Sequence, residues 1–127
     1  MFNFSSIAVV ALGAALGGVL RFACTALVVA RAGTLAAPFA TLGINVVGSL
    51  LIGVVVGVVQ SRPELSPLWR LFFATGILGG FTTFSTFSLE ALGLGSSNVL
   101  LAAAYVLGSV GIGVASAYVG LALGRAV

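Results

Sequence analysis

Gly76-Ile77-Leu78-Gly79-Gly80-Phe81-Thr82-Thr83-Phe84-Ser85-Thr86-Phe87-Ser88 is an apolar stretch poorly made for an unbroken helix. Each glycine of the Gly79-Gly80 pair lowers helix stability by about 1 kcal/mol relative to alanine. Thr82, Thr83 and Thr86 follow, and β-branched residues add no helix preference. The stretch therefore reads as a helix broken near Gly79-Gly80. At membrane depth, unwound backbone is tolerated only where protein buries it or a cavity wets it. Freed carbonyls then suit a cation, and freed N–H groups an anion. Phe81, Phe84 and Phe87 recur every third residue, so Phe84 and Phe87 share a face. An aromatic ring is negative on its face and positive at its edge, so an edge can meet an anion without offering a full charge. The plainer reading is packing phenylalanines, with hydroxyls bonded back to the preceding turn. Five hydroxyls among three phenylalanines in residues 81–88 weigh against it.

The rest of the chain supplies the membrane. Of its 127 residues, 61% are hydrophobic and 6% charged, with mean hydropathy +1.31. Soluble domains carry about 25% charged residues, so this chain cannot cover a water-facing surface. Four apolar segments, 4–30, 38–60, 67–94 and 97–124, are each long enough to span. Residues 1–127 thus form a single all-α transmembrane domain with no room for a soluble one. The connections run through Arg31-Ala32-Gly33, through Ser61-Arg62-Pro63-Glu64-Leu65-Ser66-Pro67, and through Gly95-Ser96-Ser97-Asn98. Ser97 or Asn98 is suited to cap the last helix. The first segment is no cleaved signal: it lacks a basic start, runs too long and carries Arg21 deep inside. The net charge of +3 is too small and scattered for a nucleic-acid surface. Cys24, the single cysteine, reads as a packing residue. Every segment holds a Gly-xxx-Gly pair: Gly13/Gly17, Gly53/Gly57, Gly76/Gly80 and Gly120/Gly124. Such pairs let helix backbones approach closely in lipid. Arg62, Arg70 and Arg125 lie towards one side and Arg31 towards the other, an orientation bias weak enough to permit insertion both ways up.

Polar residues inside apolar segments mark where function resides. Arg21, midway along the first, reads either as a residue facing protein or water, or as one snorkelling to the headgroups. Asn45 offers two N–H donors and one acceptor. Its donors suit an anion, although alone it reads as interhelical glue. Tyr105 and Ser109 lie one turn apart in the last segment, as a hydroxyl track or as ordinary interhelical bonding. No carboxylate sits at the centre of a segment, Glu90 being near the end of the third. With no histidine, no Cys/His cluster and no nucleophile–base pair, an enzyme reading has nothing to stand on.

Gly79-Gly80-Phe81-Thr82-Thr83-Phe84-Ser85-Thr86-Phe87 closely resembles the third-helix signature of the Fluc fluoride channels, a CrcB-like family. Gly17-Gly18 with Arg21 resembles the family's first-helix motif, and Thr41-Leu42-Gly43-Ile44-Asn45 with Gly48-Ser49 its second. The three motifs occur in family order and spacing over essentially the whole chain. The resemblance implies a passive fluoride channel in the cell membrane, an antiparallel, dual-topology homodimer with two pores. It implies that Asn45 contacts the ion, that Phe84 and Phe87 line the pores by their ring edges, and that Arg21 lies near the entrance. It implies a polar track of Thr41, Ser85, Thr86 and Ser109, and a structural sodium ion held by main-chain carbonyls of Gly79 and Thr82 from both subunits. Where the family often has another hydroxyl one turn after Ser109, this chain has Gly113. Two other readings compete. A small multidrug-type transporter needs a glutamate in the first helix, which is absent from Phe4 to Ala30. A non-transporting assembly subunit accounts for the glycines but not for the hydroxyl-rich third segment.

Overall fold

The computed structural model describes residues 3–127. Among them are four helical spans long and apolar enough to cross a membrane: Phe4–Ala32, Thr34–Ser61, Pro67–Ser97 and Val99–Arg125. Large apolar side chains such as Leu12, Phe22, Leu92 and Leu107 lie exposed along them, a surface only lipid can solvate. The protein is a multi-pass membrane protein.

Helix α1, Phe4–Ala32, starts at Asn3, whose side chain accepts from Ser6 N at 2.8 Å. It ends at Gly33, the one described residue with positive φ among the glycines (φ 83°). A short 3-10 turn, Thr34–Ala36, leads into α2, Ala37–Ser61, with Pro38 in its first turn. Pro is tolerated there because its missing N–H would have no intrahelical partner. Ser66 then caps α3, Pro67–Arg70. The third span continues as a π-helical segment, Leu71–Leu78, and one α-turn, α4, Gly79–Phe81. After two extended residues it resumes as α5, Phe84–Ser97. Asn98, rather than Ser97, caps α6, Val99–Arg125, accepting from Leu101 N at 3.0 Å. Trp69 stacks on Phe73 at 5.1 Å near the start of the third span, where amphipathic rings sit well at a membrane boundary.

The four glycine pairs resolve into two helix interfaces. Gly13 and Gly17 of α1 face Gly76 and Gly80 in the third span: a Cβ on Gly13 would lie 2.9 Å from Gly76 Cα. Gly53 and Gly57 of α2 face Gly120 and Gly124 of α6: a Cβ on Gly124 would lie 3.0 Å from Gly57 Cα. Real side chains do not fit at such distances, so glycine is required for backbones to come this close. Ser61 and Gln60 extend the second interface to the helix ends, Ser61 Oγ donating to Arg125 O and Arg125 donating twice to Gln60 Oε1. The third span begins against α1, and past its break α5 runs between α2 and α6. The break thus sits where the two helix pairs meet.

Candidate ion pathway

The discontinuity falls at Thr82 and Thr83, just beyond the glycine pair, which itself remains helical. Thr82 (φ −79°, ψ 159°) and Thr83 (φ −150°, ψ 122°) are extended. Two groups outside the local helix hold them so. Asn45 Nδ2 donates to Thr83 O at 3.0 Å, and Thr83 N donates to Asn45 Oδ1 at 2.9 Å. One amide therefore closes both backbone groups of Thr83, leaving one Asn45 N–H for another partner. The Thr83 hydroxyl caps α5, accepting from Thr86 N at 3.2 Å and donating to Thr86 Oγ1 at 3.0 Å.

These bonds redirect the helix's own donors. In an α-helix Thr83 N would serve Gly79 O, and Thr86 N would serve Thr82 O. Both donors now go to side-chain oxygens, of Asn45 and Thr83. The carbonyls of Gly79 and Thr82 are thereby released from the ladder. Thr82 Oγ1 and Thr82 N both donate to Leu78 O, at 2.9 and 3.0 Å, which finishes the turn before the break.

Beside the break lies an open cleft of about 430 Å³. Asn45 and Ser49 of α2, Phe84 and Phe87 of α5, and Ser109 and Gly113 of α6 line it. Phe84 is 79% exposed and Phe87 is buried, their centroids 5.6 Å apart with planes inclined at 43°. Phe87 also meets the Tyr105 ring at 5.3 Å. Ser109 Oγ is buried and has no hydrogen-bond partner among the described residues. The cleft thus offers N–H and O–H donors and aromatic rings without a formal charge.

The remaining predicted residues fall into separate places. Thr41, 2% exposed, donates from Oγ1 to Glu90 Oε1 at 2.9 Å. Tyr105 donates from its hydroxyl to Glu90 Oε2, also at 2.9 Å. Ser85 and Thr86 gather around the Thr83 hydroxyl at the start of α5 and are exposed. Arg21, half-buried on α1, is not among the residues lining the cleft. Glu90 was the residue sequence reasoning passed over. Near the end of the third span, as its place in the sequence indicates, it joins α2 to α6 through two hydroxyls. The signal available was its place two turns of α5 beyond the Thr83–Phe84 start, on the face of Phe87.

Four apolar spans, a third helix interrupted at Thr82 and Thr83, and an open cleft beside the interruption that carries a few amide and hydroxyl groups define a small helical membrane protein. Residues 8–121 match the family model described as CrcB-like protein, Camphor Resistance (CrcB), and the chain belongs to that family. It is 46% identical over 121 residues to the fluoride-specific ion channel FluC of Agrobacterium fabrum, covering 94% of this chain and 96% of that one. It is 50% identical over 118 residues to the protein of the same name from Methylobacterium nodulans, covering 92% and 94%. To that of Chloroflexus aurantiacus it is 44% identical over 122 residues, covering 95% and 96%.

Proposed function

We propose that the chain is a fluoride-selective channel that lets the ion leave the cell passively across the cell membrane. Family membership and the names of the relatives support it. The observation that carries it is the amide of Asn45 pinning a helix break open beside a cleft of uncharged donors. Fluoride is small, hard and strongly hydrated. A pore must replace that water yet bind weakly enough to release the ion. The spare Asn45 N–H, the Ser109 hydroxyl and the Phe84 and Phe87 ring edges are partners of that strength. A fixed cation would hold the anion longer and discriminate less by size. Hydrogen fluoride enters cells as a neutral weak acid and ionises inside. A negative-inside potential then drives the anion out, at about 2.3 kcal/mol per charge per 100 mV.

The working unit is an antiparallel, dual-topology homodimer with two pores. The open side of the cleft suits closure by a second copy. A structural sodium ion at its centre fits the chemistry of the break. Gly79 O and Thr82 O have lost their helical donors, and main-chain oxygens are the ligands a hard monovalent cation takes. Both subunits together would supply the set, and the ion's part is to tie the two breaks to each other.

The test is reconstitution. Liposomes loaded with potassium fluoride release the ion when valinomycin carries potassium, and a fluoride electrode follows it. Wild-type protein should empty the vesicles of fluoride and retain chloride in the parallel experiment. Fluoride retention by vesicles shown to contain the protein would refute the function.

A further inference from the structure

Gly113 lies one turn beyond Ser109 on α6, and both line the cleft. A Cβ built on Gly113 would lie 3.6 Å from Ser49 Oγ. The Ser49 hydroxyl, carried by α2, therefore reaches the strip of α6 that glycine leaves bare. Ser49 is in turn one turn beyond Asn45 on α2 and shares its face. Ser109 Oγ is buried without a partner, so the Ser49 hydroxyl does not satisfy it. Ile52, Val110 and Val114 also line the cleft and offer no side-chain acceptor. A buried hydroxyl left unpaired is destabilising. Ser49 and Ser109 line the same cleft from facing helices, so their rotatable hydroxyls are two donors beside one space that lack an acceptor. With no carboxylate or cation lining the cleft, the acceptor that fits is a small anion that can be held and let go.

We propose that Ser49 and Ser109 form an anion subsite at this end of the cleft, with Ser49 supplying from α2 the hydroxyl that α6 lacks at position 113. Asn45, Ser49 and Ser109 then make a continuous series of donors past the phenylalanine rims. The proposal rests on the fluoride-channel reading. It makes Ser49 a determinant of conduction in this chain and resolves what stands in for a hydroxyl at Gly113.

The experiment is fluoride efflux from liposomes with wild type, Ser49→Ala, Ser49→Thr and the exchange Ser49→Gly/Gly113→Ser. Ser49→Ala should slow efflux roughly tenfold, the loss of one hydrogen bond to a charged partner. Ser49→Thr keeps the hydroxyl and should conduct. The exchange returns the hydroxyl from the other helix and should restore most of the wild-type rate. All variants should elute from size exclusion as the wild type does. If Ser49→Ala does not, Ser49→Cys, with the same shape and only a weak donor, takes its place and should be slow. Wild-type efflux from Ser49→Ala overturns the subsite, and so does an exchange variant no faster than Ser49→Ala, which would make Ser49 a packing residue. Wild-type protein that passes no fluoride refutes the channel reading itself, a different result.

Discussion

Asn45→Ala removes the side chain that closes both backbone groups of Thr83. Thr83 is 8% exposed, so its backbone groups are largely shielded from water when the amide is lost. Each buried polar group left unpaired costs about 1–3 kcal/mol, so the two together cost about 2–6 kcal/mol. The segment can escape that cost by returning Thr83 N to Gly79 O, which rebuilds the helix through the break and turns Phe84 and Phe87 away from the cleft. Either outcome closes the path. In reconstituted vesicles, efflux should fall by more than roughly a hundredfold, the rate equivalent of about 2.7 kcal/mol. The detergent-solubilised protein should also melt at lower temperature. Asn45→Asp separates the clamp from the ion contact. It keeps the acceptor for Thr83 N but sets a carboxylate oxygen against Thr83 O, and it places negative charge where an anion must pass. It should abolish efflux. Asn45→Ala protein that conducts at the wild-type rate with unchanged melting would refute the clamp.

Phe84→Ile and Phe87→Ile keep apolar bulk but remove the positive ring edge, and each should cut fluoride efflux while elution on size exclusion stays that of wild type. Glu90→Ala strips the acceptor from the Thr41 and Tyr105 hydroxyls, and leaving two part-buried donors unpaired should lower stability by about 2–6 kcal/mol, read as a fall in melting temperature. Gly120→Leu would drive a side chain into the backbone of α2 at Leu50 and Val54, and should prevent recovery of monodisperse protein, whereas Gly18→Ala, in open space, should be recovered normally.

The spans were readable because composition alone forces them into lipid, and the segments proposed at 4–30 and 38–60 match α1 and α2 closely. The break was readable as a region and not as a residue. Gly79-Gly80 marks local helix weakness, but the chain opens where a distant amide, 38 positions away, reaches the backbone at Thr83. No local propensity encodes that partner. The role of Glu90 was illegible for a related reason: it accepts from Thr41 and Tyr105, which two other helices carry. The glycine pairs were visible one by one, but their sorting into two interfaces follows from which helices pack. Ser49 stood inside a recognised motif, yet only the bare α6 surface at Gly113 draws attention to its hydroxyl.

The wide turns of Leu71–Leu78 bear on which length changes the third span can absorb. A π-helical run stores about one residue more than an α-helix of equal rise. Deleting a residue there can be taken up by reversion to ordinary winding, leaving everything from Gly79 onward in phase. The same deletion between Phe84 and Phe87 has no slack to draw on, because α5 is already regular. It would swing the downstream half by about 100° and carry Phe87 and Glu90 off their partners together. Single-residue deletions should therefore be tolerated within Leu71–Leu78 and lethal to transport between Phe84 and Phe87.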